Sequence, residues 1–314
     1  MDQELSSRIE SLRLKYATSG QELLDFLDGL IEADYITYWD YIRLDSLLSL
    51  QQPRTSHPDE SVFIMYHQIT ELYFKLCLHE LRPQLKNEQP EIELLAESIR
   101  RCNRYFEALE HSFSVMVEGM DRKQFLKFRM SLIPASGFQS AQYRMIELAL
   151  ARLNDLVNVE KREALADEKD VSVLLDEIYW KRGATIEDSG QKTLTLLQFE
   201  NKYGDEFRSQ AEENRGNTIS DQSKRLFDEG LLTQELQDSL RELDQHVNVL
   251  WPLQHYRSAV KYLAKQSSDV RATGGTNWQK YLPPRFQKRI FFPFLWSKKE
   301  KDEWGKSFYD SYVK

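Results

Sequence analysis

Along most of the chain apolar residues recur every three to four positions, the spacing of one face of an α-helix, and no run alternates residue by residue as a half-buried strand does. The pattern predicts an all-α protein. Residues 1–30 read as an amphipathic helix through Leu12, Leu14, Leu23, Leu24, Phe26 and Leu27. A Tyr-rich stretch, Thr37 to Asp45, follows, then a short helix through Leu47 and Leu48 that Pro53 ends. Pro58 with Asp59 and Glu60 marks a helix start, since proline lacks an N–H that the first turn does not use and the acids meet the positive end of the dipole. The helix predicted from there to Leu81 is apolar on nearly every face, from Val62, Phe63 and Ile64 through Tyr73, Phe74 and Leu78, and is therefore central and buried.

Further long helices are expected over Glu91 to Val117, Phe138 to Leu156, and Leu231 to Lys265, the last interrupted near Pro252. Val157 to Asp228 is more charged, with amphipathic pieces at Val171 to Trp180 and Leu194 to Tyr203, and Asn214 to Ser223 reads as an exposed loop. The pattern divides the chain into an N-terminal segment 1–52, core helices 53–156, a charged helical excursion 157–228, and a C-terminal part 229–314.

Composition narrows the class. With 314 residues, 41% of them apolar, the chain can bury a large core. Its net charge of -8 comes from interspersed acids and bases, which argues against nonspecific nucleic-acid binding. The polar N-terminus and the lack of any apolar run near the ~20 residues of a membrane span predict a cytoplasmic protein without a membrane partner. Cys77 and Cys102 fall inside apolar helical patterns, belong to no CxxC or CxxCH arrangement, and read as buried free thiols.

Three residues and one loop could carry chemistry. His67 lies four positions after Phe63, on the same helical face. It is either a core histidine satisfied by a hydrogen bond or a contact to a ligand with a polar edge. His255, just after Pro252, is a structural histidine or a metal ligand; one imidazole suffices for haem iron, whereas the other histidines show no zinc spacing. Arg129, four residues after Phe125, could clamp a carboxylate or sit in a salt bridge. Thr273-Gly274-Gly275-Thr276 is an ordinary turn or a closing loop.

Their order and spacing resemble the haem-dependent tryptophan 2,3-dioxygenases over roughly Tyr35 to Leu282. The stretch from Tyr38 through Tyr41 to Leu48 is similar to the family's YxxYLxLDxLL. Asp59 through Phe63, His67 and Lys75, with His79-Glu80-Leu81, is similar to DExxFIxxHQxxELWFK and HEL. The most specific match is Pro134 to Arg144 with PASGFQSxQYR. Leu243 to His255 is similar to the helix that supplies the proximal haem ligand.

The resemblance implies a haem b protein with His255 as axial ligand and His67 as the distal residue facing the indole N–H. It places Phe63 on the indole, Arg129 on the carboxylate near Phe125, and Thr273 at the amino-acid head group. Tyr38, Tyr41 and Ile42 would complete the pocket of a neighbouring subunit in a homotetramer. The reaction implied is insertion of O2 across the indole C2–C3 bond of L-tryptophan to give N-formylkynurenine, and His67 need not act as an obligatory base. The chain also departs from the family. Ala272 to Trp278 reads ATGGTNW where the family has GTGGSSG, Pro252 replaces an arginine, and Phe125 stands where some members have tyrosine. Alternatives are therefore a related haem oxygenase acting on a modified indole or another aromatic amino acid, and a non-catalytic haem-binding protein.

Overall fold

The structure, a computed structural model, describes residues 3–20, 22–132, 137–186, 190–263 and 284–306. Thr273 and the whole 272–278 loop lie outside the described residues. Helices dominate throughout; backbone pairing beyond them is limited, among the described residues, to isolated bridges at Val157/Ile178 and Thr185/Lys192. The all-α expectation holds.

The chain forms two units, Met1–Gln52 and Pro53–Lys314. In the first, the single helix expected over residues 1–30 is two, α1 (Gln3–Ala17) and α2 (Leu23–Glu32). Between them Thr18 and Ser19 bond back to the last helical carbonyls and Gly20 takes a left-handed φ of +70°, which reverses the chain so that Tyr16 stacks on Phe26 at 4.2 Å. The short helices α3 (Tyr38–Tyr41) and α4 (Leu44–Leu48) follow.

In the second unit α5 (Pro58–Leu85) packs lengthwise on α6 (Ile92–Ser112). The Glu60 carboxylate fixes the start of α5 by accepting from the N–H groups of Arg54 (2.8 Å) and Thr55 (2.7 Å). The helix runs past its expected end at Leu81 because Pro83 falls in the last turn, where the lost N–H removes one rung and no more. The fully buried Leu81, Leu95, Ile99, Phe106 and Leu109 form the seam of this pair, and Cys77 and Cys102 are buried free thiols beside it. Four short helices come next: α7 (Ser114–Val117), α8 (Arg122–Phe128), α9 (Ala141–Leu150) and α10 (Val171–Asp176). Then come α11 (Tyr179–Arg182), α12 (Leu194–Glu213) and α13 (Ile219–Asp228).

Asn214 to Ser223 is not an exposed loop. Thr218 and Asp221 make a reciprocal capping box at the start of α13, and Ile219, Ser220, Gln222 and Ser223 are buried. Ser220 Oγ donates to Phe291 O (2.7 Å) and Gln222 Nε2 to Gln84 O (3.0 Å), so polar side chains enter the core by satisfying backbone carbonyls there. Phe199 and Phe207 of α12 and Ile219 of α13 belong to the same apolar core as the α5/α6 seam.

The last long element is α14 (Gln234–Gln245), a π turn over His246–Leu250, and α15 (Trp251–Leu263). The interruption expected near Pro252 is that π turn. Asp244, fully buried at its edge, accepts from the N–H groups of Phe291 (2.9 Å) and Phe292 (3.2 Å), from Trp296 Nε1 (2.9 Å) and from Asn248 Nδ2 (2.7 Å). Burial pushes its pKa up to about 6 against the pull of these four donors.

Candidate active site

Helix α5 sets Phe63 and His67 one turn apart on one face, with ring centroids 4.0 Å apart. His67 Nδ1 lies 2.7 Å from Phe63 O, and since a carbonyl can only accept, Nδ1 carries the proton and the Nε2 lone pair is left for a ligand. The imidazole keeps substantial solvent-accessible area, yet desolvation by surrounding protein lowers its pKa. Accessible surface within dense surroundings is the signature of a cleft wall.

Helix α15 repeats the device. His255 Nδ1 lies 3.0 Å from Trp251 O, again leaving Nε2 with a lone pair, and burial takes the pKa down to about 4. The charge that His67 can carry contributes to that lowering after burial. Both are neutral at ordinary pH.

Aromatic rings line the space between. Phe113 lies 4.8 Å from His255, 5.2 Å from Trp251 and 5.7 Å from Tyr66, which reaches His67 at 6.3 Å. On the other side Phe63 meets Phe125 at 6.4 Å and Phe128 at 5.8 Å. Phe125 in turn packs on Tyr262 of α15 at 4.6 Å, and the Tyr262 hydroxyl donates to Met116 O (2.6 Å). Helix α8, capped by Asp121 accepting from Gln124 N–H, ends at Phe128 and hands over to a 3₁₀ turn that opens with Arg129. Arg129 is buried; burial lowers its pKa, but a guanidinium stays charged.

Phe63, His67, Phe125 and His255 therefore come together, with Arg129 adjoining Phe128. Tyr38, Tyr41 and Ile42 belong to the first unit, where they are exposed at 71%, 75% and 37%. Sequence reasoning did not single out Phe113, Tyr66 or Tyr262, whereas Phe128 stood beside Arg129 in a stretch that resembles the family's FR. The first three looked like ordinary helical core positions, although Tyr262, seven residues after His255, shares its face.

The 134–144 run, read as a place where backbone approaches a ligand, turns inward over its described part. Gln142 Nε2 donates to Glu71 O (2.8 Å) and Oε2 (2.9 Å). Arg144 Nη1 donates to Glu147 Oε2 (2.7 Å) within a buried cluster that Tyr179 and Arg289 complete. These residues hold α9 against α5 and the C-terminal segment.

An aromatic-lined space into which α15 brings an imidazole with a lone pair at Nε2 would suit a macrocycle that carries its own equatorial nitrogens. His67 adds a second imidazole whose Nε2 lone pair is not used by its own helix.

Comparison with known proteins agrees in kind. The family model described as Tryptophan 2,3-dioxygenase matches residues 30–265. The chain is 30% identical over 272 residues to the Tryptophan 2,3-dioxygenase of Polaromonas naphthalenivorans, covering 83% of this chain and 90% of that protein. It is 29% identical over 271 residues to that of a second Polaromonas strain, covering 83% and 86%. A shorter stretch of 126 residues is 44% identical to Tryptophan 2,3-dioxygenase 2 of Ralstonia nicotianae, 37% of this chain and 34% of that one.

Proposed function

Since the chain belongs to the tryptophan 2,3-dioxygenase family, we propose that the aromatic cleft between α5 and α15 binds haem b and an indole amino acid, with the neighbouring subunit completing it. The enzyme cleaves the indole C2–C3 bond of tryptophan oxidatively, yielding N-formylkynurenine. The observation that carries the site assignment is the pair of neutral imidazoles, each with Nδ1–H tied to its own helix and Nε2 open.

His255 Nε2 would hold the iron, because its low proton affinity leaves the lone pair free at any working pH. When bound, the haem supplies the O2 activation that no side chain can. His67 Nε2 accepts from the indole N–H and so fixes which edge of the ring faces the oxygen; a neutral imidazole orients the substrate without having to remove its proton. Phe63 packs on the indole face and Arg129 pairs with the carboxylate by a two-pronged charge-assisted bond. Phe125 offers the carboxylate no hydroxyl, which leaves Arg129 as its main anchor at this end, and Thr273 would meet the amino-acid head group. The aromatic walls exclude water.

Purified, reduced, haem-loaded enzyme in air should convert L-tryptophan to a product heavier by two oxygen atoms, both labelled when the gas is ¹⁸O2. Gain of one labelled oxygen, or turnover confined to a modified indole, would replace this reading by a related oxygenase; haem binding with no turnover would make the chain a non-catalytic binder.

Tyr38, Tyr41 and Ile42 are proposed to enter the neighbouring subunit's pocket within a homotetramer. Their exposure supports this, since rings of this size seldom face water in such density without a partner surface. Mixing an Arg129→Ala protein with a Tyr38→Ala/Tyr41→Ala protein should restore part of the activity in hybrid assemblies. A fully active monomer by light scattering at assay concentration is the opposing result.

A further inference from the structure

In the π turn His246–Leu250 hydrogen bonds span five residues, and Trp251 N–H accordingly donates to His246 O. The next rung calls for an N–H at position 252 to serve the carbonyl of Val247, and Pro252 has none. Val247 is fully buried, so solvent does not make up the loss. The donor comes from another helix: Tyr143 Oη donates to Val247 O at 2.8 Å. A carbonyl oxygen can only accept, so the hydroxyl hydrogen of Tyr143 points to Val247.

A π turn carries one residue more than an α-turn, and each residue rotates a helix by roughly 100°. The turn therefore sets the rotational phase of α15, and with it the direction in which His255 points. We propose that Tyr143 is a positioning residue for His255, replacing the N–H that Pro252 lacks and so stabilising the π turn that aims the imidazole into the cleft. The inference rests on the reading of His255 as the haem ligand.

Tyr143→Phe keeps the ring and removes the hydroxyl. In the haem-loaded protein it should shift the iron–imidazole stretching band of the ferrous resonance Raman spectrum and speed haem transfer to a scavenging protein roughly tenfold, the scale of one lost buried hydrogen bond. Pro252→Ala returns an N–H to the rung, so the double variant Tyr143→Phe/Pro252→Ala should move both readouts back toward wild type. If Tyr143→Phe alone fails to fold, the double variant is expected to fold and to show the near-wild-type band. A single variant with band and transfer rate unchanged, or a double variant displaced as far as the single one, would overturn the proposal and leave Tyr143 a packing residue. Hydrogen exchange of the amides from Val249 to Tyr256, measured without haem, should quicken in the single variant and recover in the double. Failure of His255 as ligand would show instead as a wild-type iron–imidazole band that survives His255→Ala, with the exchange pattern still deciding on Tyr143.

Discussion

Replacing His255 by alanine should abolish the haem absorption band of the purified protein or leave a cofactor lost on gel filtration, while the helical circular dichroism stays near wild type. The imidazole's Nδ1–H bond to Trp251 O belongs to its own helix, so its removal leaves no buried orphan except one helical carbonyl already in the ladder. What disappears is the lone pair at the end of the cleft lined by Phe113 and Trp251. The vacated volume borders that lone-pair position, so millimolar imidazole in the buffer should return part of the band. A variant with unchanged spectrum and iron content would remove His255 from the site.

The second large effect is expected at Arg129. Arg129→Met keeps the length and apolar stem of the side chain and removes the fork, and breaking one partner of a desolvated charge pair costs about 2–5 kcal/mol, or roughly 30- to 4000-fold in kcat/KM for L-tryptophan. Tryptamine, which has no carboxylate, should be a poor substrate of the wild-type enzyme and lose little further in the variant. Comparable turnover of tryptamine and tryptophan by the wild type, or a variant with near-normal kcat/KM, would show that the carboxylate is held elsewhere.

How far these assignments could be read before the structure depended on what kind of signal each residue emits. The helix α5 announced itself because Val62 to Leu81 is apolar on nearly every face, but the buried position expected for it holds on one side only, since Met65, Ile69, Leu72 and Leu76 form a stripe left exposed in this chain. The break between α1 and α2 did not announce itself, since Thr18, Ser19 and Gly20 occupy a single turn within an otherwise unbroken amphipathic spacing. Helix α13 was hidden for the opposite reason. Ser220, Gln222 and Ser223 look like solvent-facing residues, and only their carbonyl partners on other elements explain why they are buried.

The site was visible as an ordered set of weak signals. His67 and His255 are 188 positions apart in the chain, and nothing in the local pattern of either shows that their rings share a cleft. That fact comes from the packing of α5 and α15 around Phe113, a residue at the end of α6 with the look of ordinary core. Pro252 did flag a local disturbance. A hydrophobic period cannot say whether such a break is a kink, a restart or a π turn, because one inserted residue leaves the average spacing almost unchanged.

The Asp244 clamp has a bearing on the order in which the chain is made. Three of the four donors that satisfy this buried carboxylate, those of Phe291, Phe292 and Trp296, are synthesised after α14, the π turn and α15 are complete. A nascent chain that has already emerged through His255 thus carries a carboxylate that it cannot bury, since an unpaired charge in an apolar interior is strongly disfavoured. The end of α14 and the π turn beside it therefore gain these three donors only once residues 291–296 have been made.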